Sequence, residues 1–544
     1  MRETFGVASS AVLAWLAGTS LLFAVAGCKE QSPAPSTTTS SAQPGAPRAA
    51  LQKVTVRTTF GGKSSPARLH LTREGKPWLP ETRAIAFRDN VVFDGRIEFE
   101  APAGAYTYEL ERGPTFRPIR GSLVVTEGDA ATLDASFERL VDPEALGWFA
   151  GDLHNHRSAA DTPELMRTEL LHVAPVVTWW NGMMKYDPSQ SEVRLLPHGG
   201  VLDQTGGEDE RVGGALMFFG LKQPLQLPPP LMEGKRYLHF HGDPRCELPT
   251  AASLAREAQN DPDAHVSLEK PFWWDAPTHV ALGVIDSFQL AHNHMRRKAP
   301  SNREAWGRAC DKKRFAHPVF GNGDCSVDIY YQYLEAGFHL PPSAGSASGV
   351  HLNPLGYDRV YVHTGTFAHD AWWRELGRGR SFVTNGPLLF VRVNQQLPGH
   401  TFRIAAGENL QLDLDVQVHS NEKVTEVELV HNAKVVSRGR LEDGGHVRFD
   451  AAQLAGGGWF LLRARTDEPR TFQFASTAPF YIEVAGAKQR ISRQAAAYFE
   501  GWVSERIAHI RKGGAGQPLL EEMLAPHLEA LEAYRQLGAR ATVP

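Results

Sequence analysis

Apolar and polar residues alternate at 54–58, again at 97–100, and at 123–125. A period of two places successive side chains on opposite faces, so these stretches read as half-buried strands. Residues 51–142 are therefore expected to form an N-terminal β-sandwich. From 147 to 387 the pattern changes to short apolar runs alternating with helical stretches, as in an α/β fold. The helix at 163–172 opens on Thr162-Pro163-Glu164, an N-cap hydroxyl with proline at the first helical position. Strands are expected at 174–178 and 286–290, and a helix at 370–376. The strand period returns at 388–485, most clearly in nine alternating residues at 410–418, and predicts a C-terminal β-sandwich. Residues 490–544 carry apolar side chains at helical spacing, including Tyr498, Trp502, Ile507 and Ile510, and read as a helical tail packed on the body.

Composition narrows the class. The 544 residues are 42% hydrophobic and 22% charged, with a formal net charge of -4. That is an ordinary globular balance for a chain of several domains. There is no basic stripe or tail, so no nucleic-acid partner is expected. The N-terminus is different. An apolar stretch follows Arg2 and ends in Ala24-Val25-Ala26-Gly27-Cys28. Small residues before a cysteine resemble a bacterial lipoprotein signal, residues 1–28, cleaved before a lipidated Cys28. Lys29, in the place where an aspartate would retain the protein, points to the outer membrane. Residues 29–50, rich in Ser, Thr, Pro, Ala and Gln, read as a disordered tether. The membrane would then be contacted only through lipid at Cys28. Three further cysteines allow one disulfide in an exported protein, and Cys310 with Cys325 is the preferred pair, both lying in one irregular stretch.

Candidate chemistry centres on Gly151-Asp152-Leu153-His154-Asn155-His156, directly after the apolar run Trp148-Phe149-Ala150. Residues i and i+2 of a strand share a face, so His154 and His156 aim two imidazoles at one point past the strand's end. Paired imidazoles there suit a metal ion.

This string resembles the first motif of the PHP (polymerase and histidinol phosphatase) superfamily. Gly207-Glu208-Asp209-Glu210, Ala336-Gly337-Phe338-His339-Leu340-Pro341-Pro342-Ser343-Ala344-Gly345-Ser346 and Gly379-Arg380-Ser381-Phe382-Val383-Thr384-Asn385-Gly386-Pro387 narrow the likeness to its CehA/McbA-like metallohydrolase branch. Pro102-Ala103-Gly104-Ala105-Tyr106 looks like the hairpin of carboxypeptidase-regulatory-like sandwich modules, a structural element. The PHP resemblance implies an α/β fold, a distorted (β/α)7-type barrel flanked by the two small β-sandwiches. It also implies one or two divalent ions (Zn, Mn or Fe) and hydrolysis of an ester, amide, carbamate or phosphoester bond by metal-activated water. His154 and His156 match its first metal pair, Glu208 its bridging glutamate, and Asp152 an acceptor for a ligand's free ring N–H. Glu208 has an alternative reading as part of a charged turn.

Elsewhere the chain departs from the pattern. Thr178-Trp179-Trp180-Asn181 stands where the family has Thr-Asp-His. Glu269-Lys270-Pro271 stands for His-Pro, and Gly345-Ser346-Ala347-Ser348-Gly349 lacks both ligands of the last motif. Glu269 is a metal-ligand candidate by position. His294, favoured over His292, is another, just past the strand ending at 290. Lys270 and Asp275 are candidates for acid–base or substrate-orienting roles. Arg157 is either an anion clamp or a partner of Asp161. Trp179, Trp180 and the aromatics at 272–274 either line a stacking pocket or fill the core. Two functions are open: a metal-dependent hydrolase of a small-molecule substrate, or a catalytically silent PHP-like lipoprotein that binds a ligand or glycan.

Overall fold

The alternation at 54–58 forms part of the strand Leu51–Phe60, in which Val54 and Val56 are fully buried. This strand lies between Arg96–Pro102, antiparallel, and Ala131–Ser136, parallel. A second sheet runs in the order Ile85–Phe87, Asn90–Asp94, Pro66–Arg73, Gly104–Glu111, Ile119–Val125. Val54 and Phe99 from the first sheet and Leu69, Val91 and Tyr106 from the second pack in one cluster. Tyr106 closes the Pro102–Gly104 turn by donating its hydroxyl to the Pro102 carbonyl, 2.9 Å away. The computed structural model describes residues 50–184, 193–229, 231–233, 236–301, 304, 307–450 and 452–544. The signal at 1–28 and the tether at 29–50, apart from Ala50, lie outside them. Among the described residues no helix is long and apolar enough to cross a membrane.

The central sheet has seven strands in the order Met183–Met184, Val177–Trp180, Gly206–Asp209, Leu216–Phe219, His265–Leu268, Ser287–His292, Pro342–Gly345. This corrects the expected (β/α)7-type barrel. Strands make up 37% of the structure and helices only 20%, spread over many sheets. The physical reason lies in the connections. A parallel crossover needs about a dozen residues, whereas only residues 210–215 join Gly206–Asp209 to Leu216–Phe219, and this pair is antiparallel. Leu216–Phe219 is also antiparallel to His265–Leu268. Parallel pairing is kept between Val177–Trp180 and Gly206–Asp209, and from His265–Leu268 through Ser287–His292 to Pro342–Gly345.

A nine-stranded sheet crosses the expected boundary at 387/388. It begins at Trp148–Gly151, continues through Arg359–His363 and Ser381–Thr384, and passes by Phe474–Thr477 and Gly458–Thr466 to Val424–His431. Residues 410–418 are two strands, not one. Asn409–Leu412 pairs with Ala452–Ala455, and Leu414–His419 with Leu388–Val393. Between them the Asp413 amide donates to Asn394 Oδ1, 2.6 Å away, where the chain changes sheets.

The helices follow the sequence pattern closely. Thr162–Glu169 stops where Leu170 turns left-handed (φ 57°), so the chain re-enters extended structure three residues before the expected end at 172. His369–Gly377 brackets the helix expected at 370–376. The tail forms Arg493–Gly513 and Leu520–Ala539, which pack on each other and on the short helix Ala276–Ala281. Cys310 and Cys325 form a disulfide, and Cys246 is a buried free thiol.

Candidate metal centre

Trp148–Gly151 is buried throughout and pairs antiparallel with Arg359–His363. Past Gly151 the chain leaves that partner and runs between two strands of the central sheet. On one side Leu153 N donates to Ala344 O (2.9 Å) and His156 N to Ser348 O (2.8 Å). On the other, Val177 N donates to Asn155 O (2.8 Å). Held from both sides, the segment keeps the strand alternation: Leu153 enters the core while His154 and His156 turn to one point.

Asp152 fixes the backbone of this segment. Its carboxylate accepts N–H groups from His154 (3.1 Å), Ser346 (2.9 Å) and Gly356 (2.6 Å). It thus serves main-chain donors, not the ligand ring N–H expected of it. Burial raises its pKa to about 6, against the pull of these donors.

The two imidazoles meet through their Nε2 atoms, 3.0 Å apart. Glu208, from the Gly206–Asp209 strand, places Oε1 3.6 Å from His154 Nε2 and Oε2 3.1 Å from His156 Nε2. Ligand atoms of all three lie within 4.8 Å of one another. A tetrahedral ion with bonds of about 2.0–2.1 Å sets its ligand atoms about 3.3 Å apart. The separations therefore fit a common ion, and the set of two nitrogens and a carboxylate is a metal-binding chemistry. Burial lowers the His154 pKa to about 4 despite the neighbouring Glu208, so the ring is neutral, the form that ligates. Burial pushes the Glu208 carboxyl up, but His154 and His156 outweigh it and hold it well below the usual range.

Two glycines make room for this arrangement. A Cβ on Gly345 would sit 2.4 Å from the His154 Cβ, and one on Gly207 would lie 1.7 Å from the Trp179 ring. Trp179, Phe272 and Trp273 are core residues rather than a stacking surface. Trp180 is half-buried, with its ring 5.3 Å from that of His156.

Glu269, expected as a fourth ligand, faces the other nitrogen of His154: its Oε1 is 3.5 Å from Nδ1. That oxygen is also bonded directly by the Lys270 ammonium, which reaches Glu210 Oε1 at 3.1 Å. Burial, Glu208 and Glu210 keep the Glu269 carboxyl well above its usual range despite Lys270. Lys270, expected in an acid–base or substrate-orienting role, is paired with the Glu210 and Glu269 carboxyls.

His294 is not in the three-residue grouping. Its ring packs 5.2 Å from Phe272 and 6.4 Å from His351. His351 accepts from Arg296 Nη2 through Nδ1 (3.1 Å) and sits in the loop whose Ser348 carbonyl receives the His156 amide. Arg157 pairs with Asp161 (3.3 Å) and stacks on Phe87 (4.5 Å). Asp275 binds Arg506 of the tail (2.6 Å), which also holds Glu247 (2.6 Å). It is a buried ion-pair partner between distant segments.

Sequence reasoning missed Glu210 and His351. Glu210 carried a signal, since i and i+2 after Glu208 share a face. His351 lies two residues past the string in which the last two ligands are lacking. No protein-family model and no curated protein matches this chain.

Proposed function

We propose that this chain is an exported, lipid-anchored, metal-dependent hydrolase of the PHP type, acting on an ester, amide, carbamate or phosphoester bond. One observation carries the reading: two imidazoles and a carboxylate, His154 and Glu208 fully buried, converge with their ligand atoms within 4.8 Å of one another. Such a cost in desolvation is compensated when a cation completes the set. His154, His156 and Glu208 would hold the ion, with zinc, manganese or iron suited to imidazole and carboxylate together. When bound, that ion activates water and polarises the bond to be cut. The protein's own contribution is positioning. Asp152 clamps the ligand-bearing backbone, and His351 with Arg296 borders the centre where a polar substrate group would be oriented. Lipid at Cys28 would confine the activity to the cell envelope, at the outer membrane.

The test is metal analysis of the purified full chain beside a His154→Ala, His156→Ala double variant. The wild type is expected to retain a divalent ion, and the variant to lose it by about tenfold or more. A panel of ester, amide, carbamate and phosphoester substrates should then lose turnover in the variant. Equal and negligible metal in both proteins would overturn the reading.

A further inference from the structure

Beside the three-ligand grouping a second set of side chains converges. Ligand atoms of Glu208, Glu210 and Glu269 lie within 4.8 Å of one another. Glu208 and Glu210 share a face, while Asp209 turns the other way to Arg211, which grips it at 2.7 and 2.9 Å. Glu269 enters just past the His265–Leu268 strand, one strand removed from Gly206–Asp209, its amide anchored on Ala215 O (2.9 Å). Glu208 and Glu269 are buried to 1% and 0% exposure, and Glu269 Oε2 has no hydrogen-bond partner. Carboxylates this close repel unless a cation stands among them.

That cation is a side chain. The Lys270 ammonium bonds Glu269 and Glu210 and lies 5.0 Å from the centre of the Trp273 ring. Lys270 is 2% exposed, so solvent ions do not share the task. An ammonium and a divalent ion place the same demand on carboxylate oxygens, differing by one unit of charge and in how closely the oxygens approach.

We infer that Lys270 stands in the place of a second metal ion: Glu208, Glu210 and Glu269 form a cation subsite filled by the protein itself, so the centre takes one divalent ion and not two. The inference rests on the metal-centre reading. Its consequence is a latent site. Removing the lysine leaves three carboxylates and only oxygen donors, a set that prefers a hard ion such as Mn2+.

The test uses the full chain, dialysed against Mn2+ and analysed for bound metal per chain. The wild type and Lys270→Arg should each hold one ion, and Lys270→Ala two. Lys270→Gln, nearer in size, repeats the measurement should the alanine variant fold poorly by circular dichroism. In the two-ion form the manganese electron paramagnetic resonance signal should show coupling between ions. Two ions on the wild type, or one on both uncharged variants, would overturn the inference while leaving the metal centre in place. No ion on the wild type and one on Lys270→Ala would overturn the metal-centre reading and support the filled subsite. No ion on any of them would overturn both.

Discussion

The residues around His154 show how much of the centre depends on absent atoms. A methyl on Gly345 would lie 2.4 Å from the His154 Cβ, and one on Gly207 would lie 1.7 Å from the Trp179 ring. Gly345→Ala should therefore displace His154 and weaken metal binding by about tenfold or more, the scale seen when a ligand's support is disturbed. Metal titration would read this, and unchanged affinity would remove Gly345 from the site. Gly207→Ala acts on packing, with an expected loss of about 1–3 kcal/mol in chemical denaturation. At this scale the sequence was informative where period and chemistry coincided: His154 and His156 follow from strand alternation and donor type, whereas Glu208 was reached only through its motif's resemblance. For Glu269, a ligand candidate by position, and Lys270, the sequence carried no sign that the two are paired with each other. That Lys270 also reaches Glu210 depends on how the sheet brings residues 60 positions apart together, which local sequence does not register.

At the scale of elements, the tail is part of the body. Arg506, on the Arg493–Gly513 helix, is fully buried and binds Asp275 and Glu247, residues 231 and 259 positions earlier. Arg506→Met would leave two buried carboxylates without their cation. The expected cost is about 3–5 kcal/mol, read as a shift in the denaturation midpoint. A shift within error would show that the pair adds nothing. The helical period of the tail was legible, as were the helices Thr162–Glu169 and His369–Gly377, because capping residues and apolar spacing are local. The failures were topological. The antiparallel pairing of Gly206–Asp209 with Leu216–Phe219 follows from a six-residue connection through Gly213-Gly214, and Gly206-Gly207-Glu208-Asp209 carries no apolar period that would announce a strand. Likewise the unbroken alternation at 410–418 concealed a change of sheet at Asp413, which alternation alone does not register.

For the whole molecule, buried neutral histidines set the response to acid. Burial lowers His172, His265 and His527 to about 4 each, whereas an unfolded imidazole titrates near about 6.5. Between these values the unfolded chain holds more protons than the folded one, so stability falls as pH falls. The contribution is complete above about pH 6.5 and is lost through the window down to about 4. Denaturation midpoints at pH 7.5, 6 and 5 should decrease in that order, and His527→Gln should flatten the slope by one proton. A chain more stable at pH 5 than at 7.5 would contradict the assignment. The Arg506 clasp bears on a different event, the order in which the chain can finish folding. Asp275 and Glu247 emerge from any N-to-C process long before the helix that neutralises them. Until that helix arrives, the segments bearing them are favoured to stay open or protonated. The last helices therefore complete the body: a chain cut before Arg506 would leave Asp275 and Glu247 without their cation and should be cleaved faster in limited proteolysis.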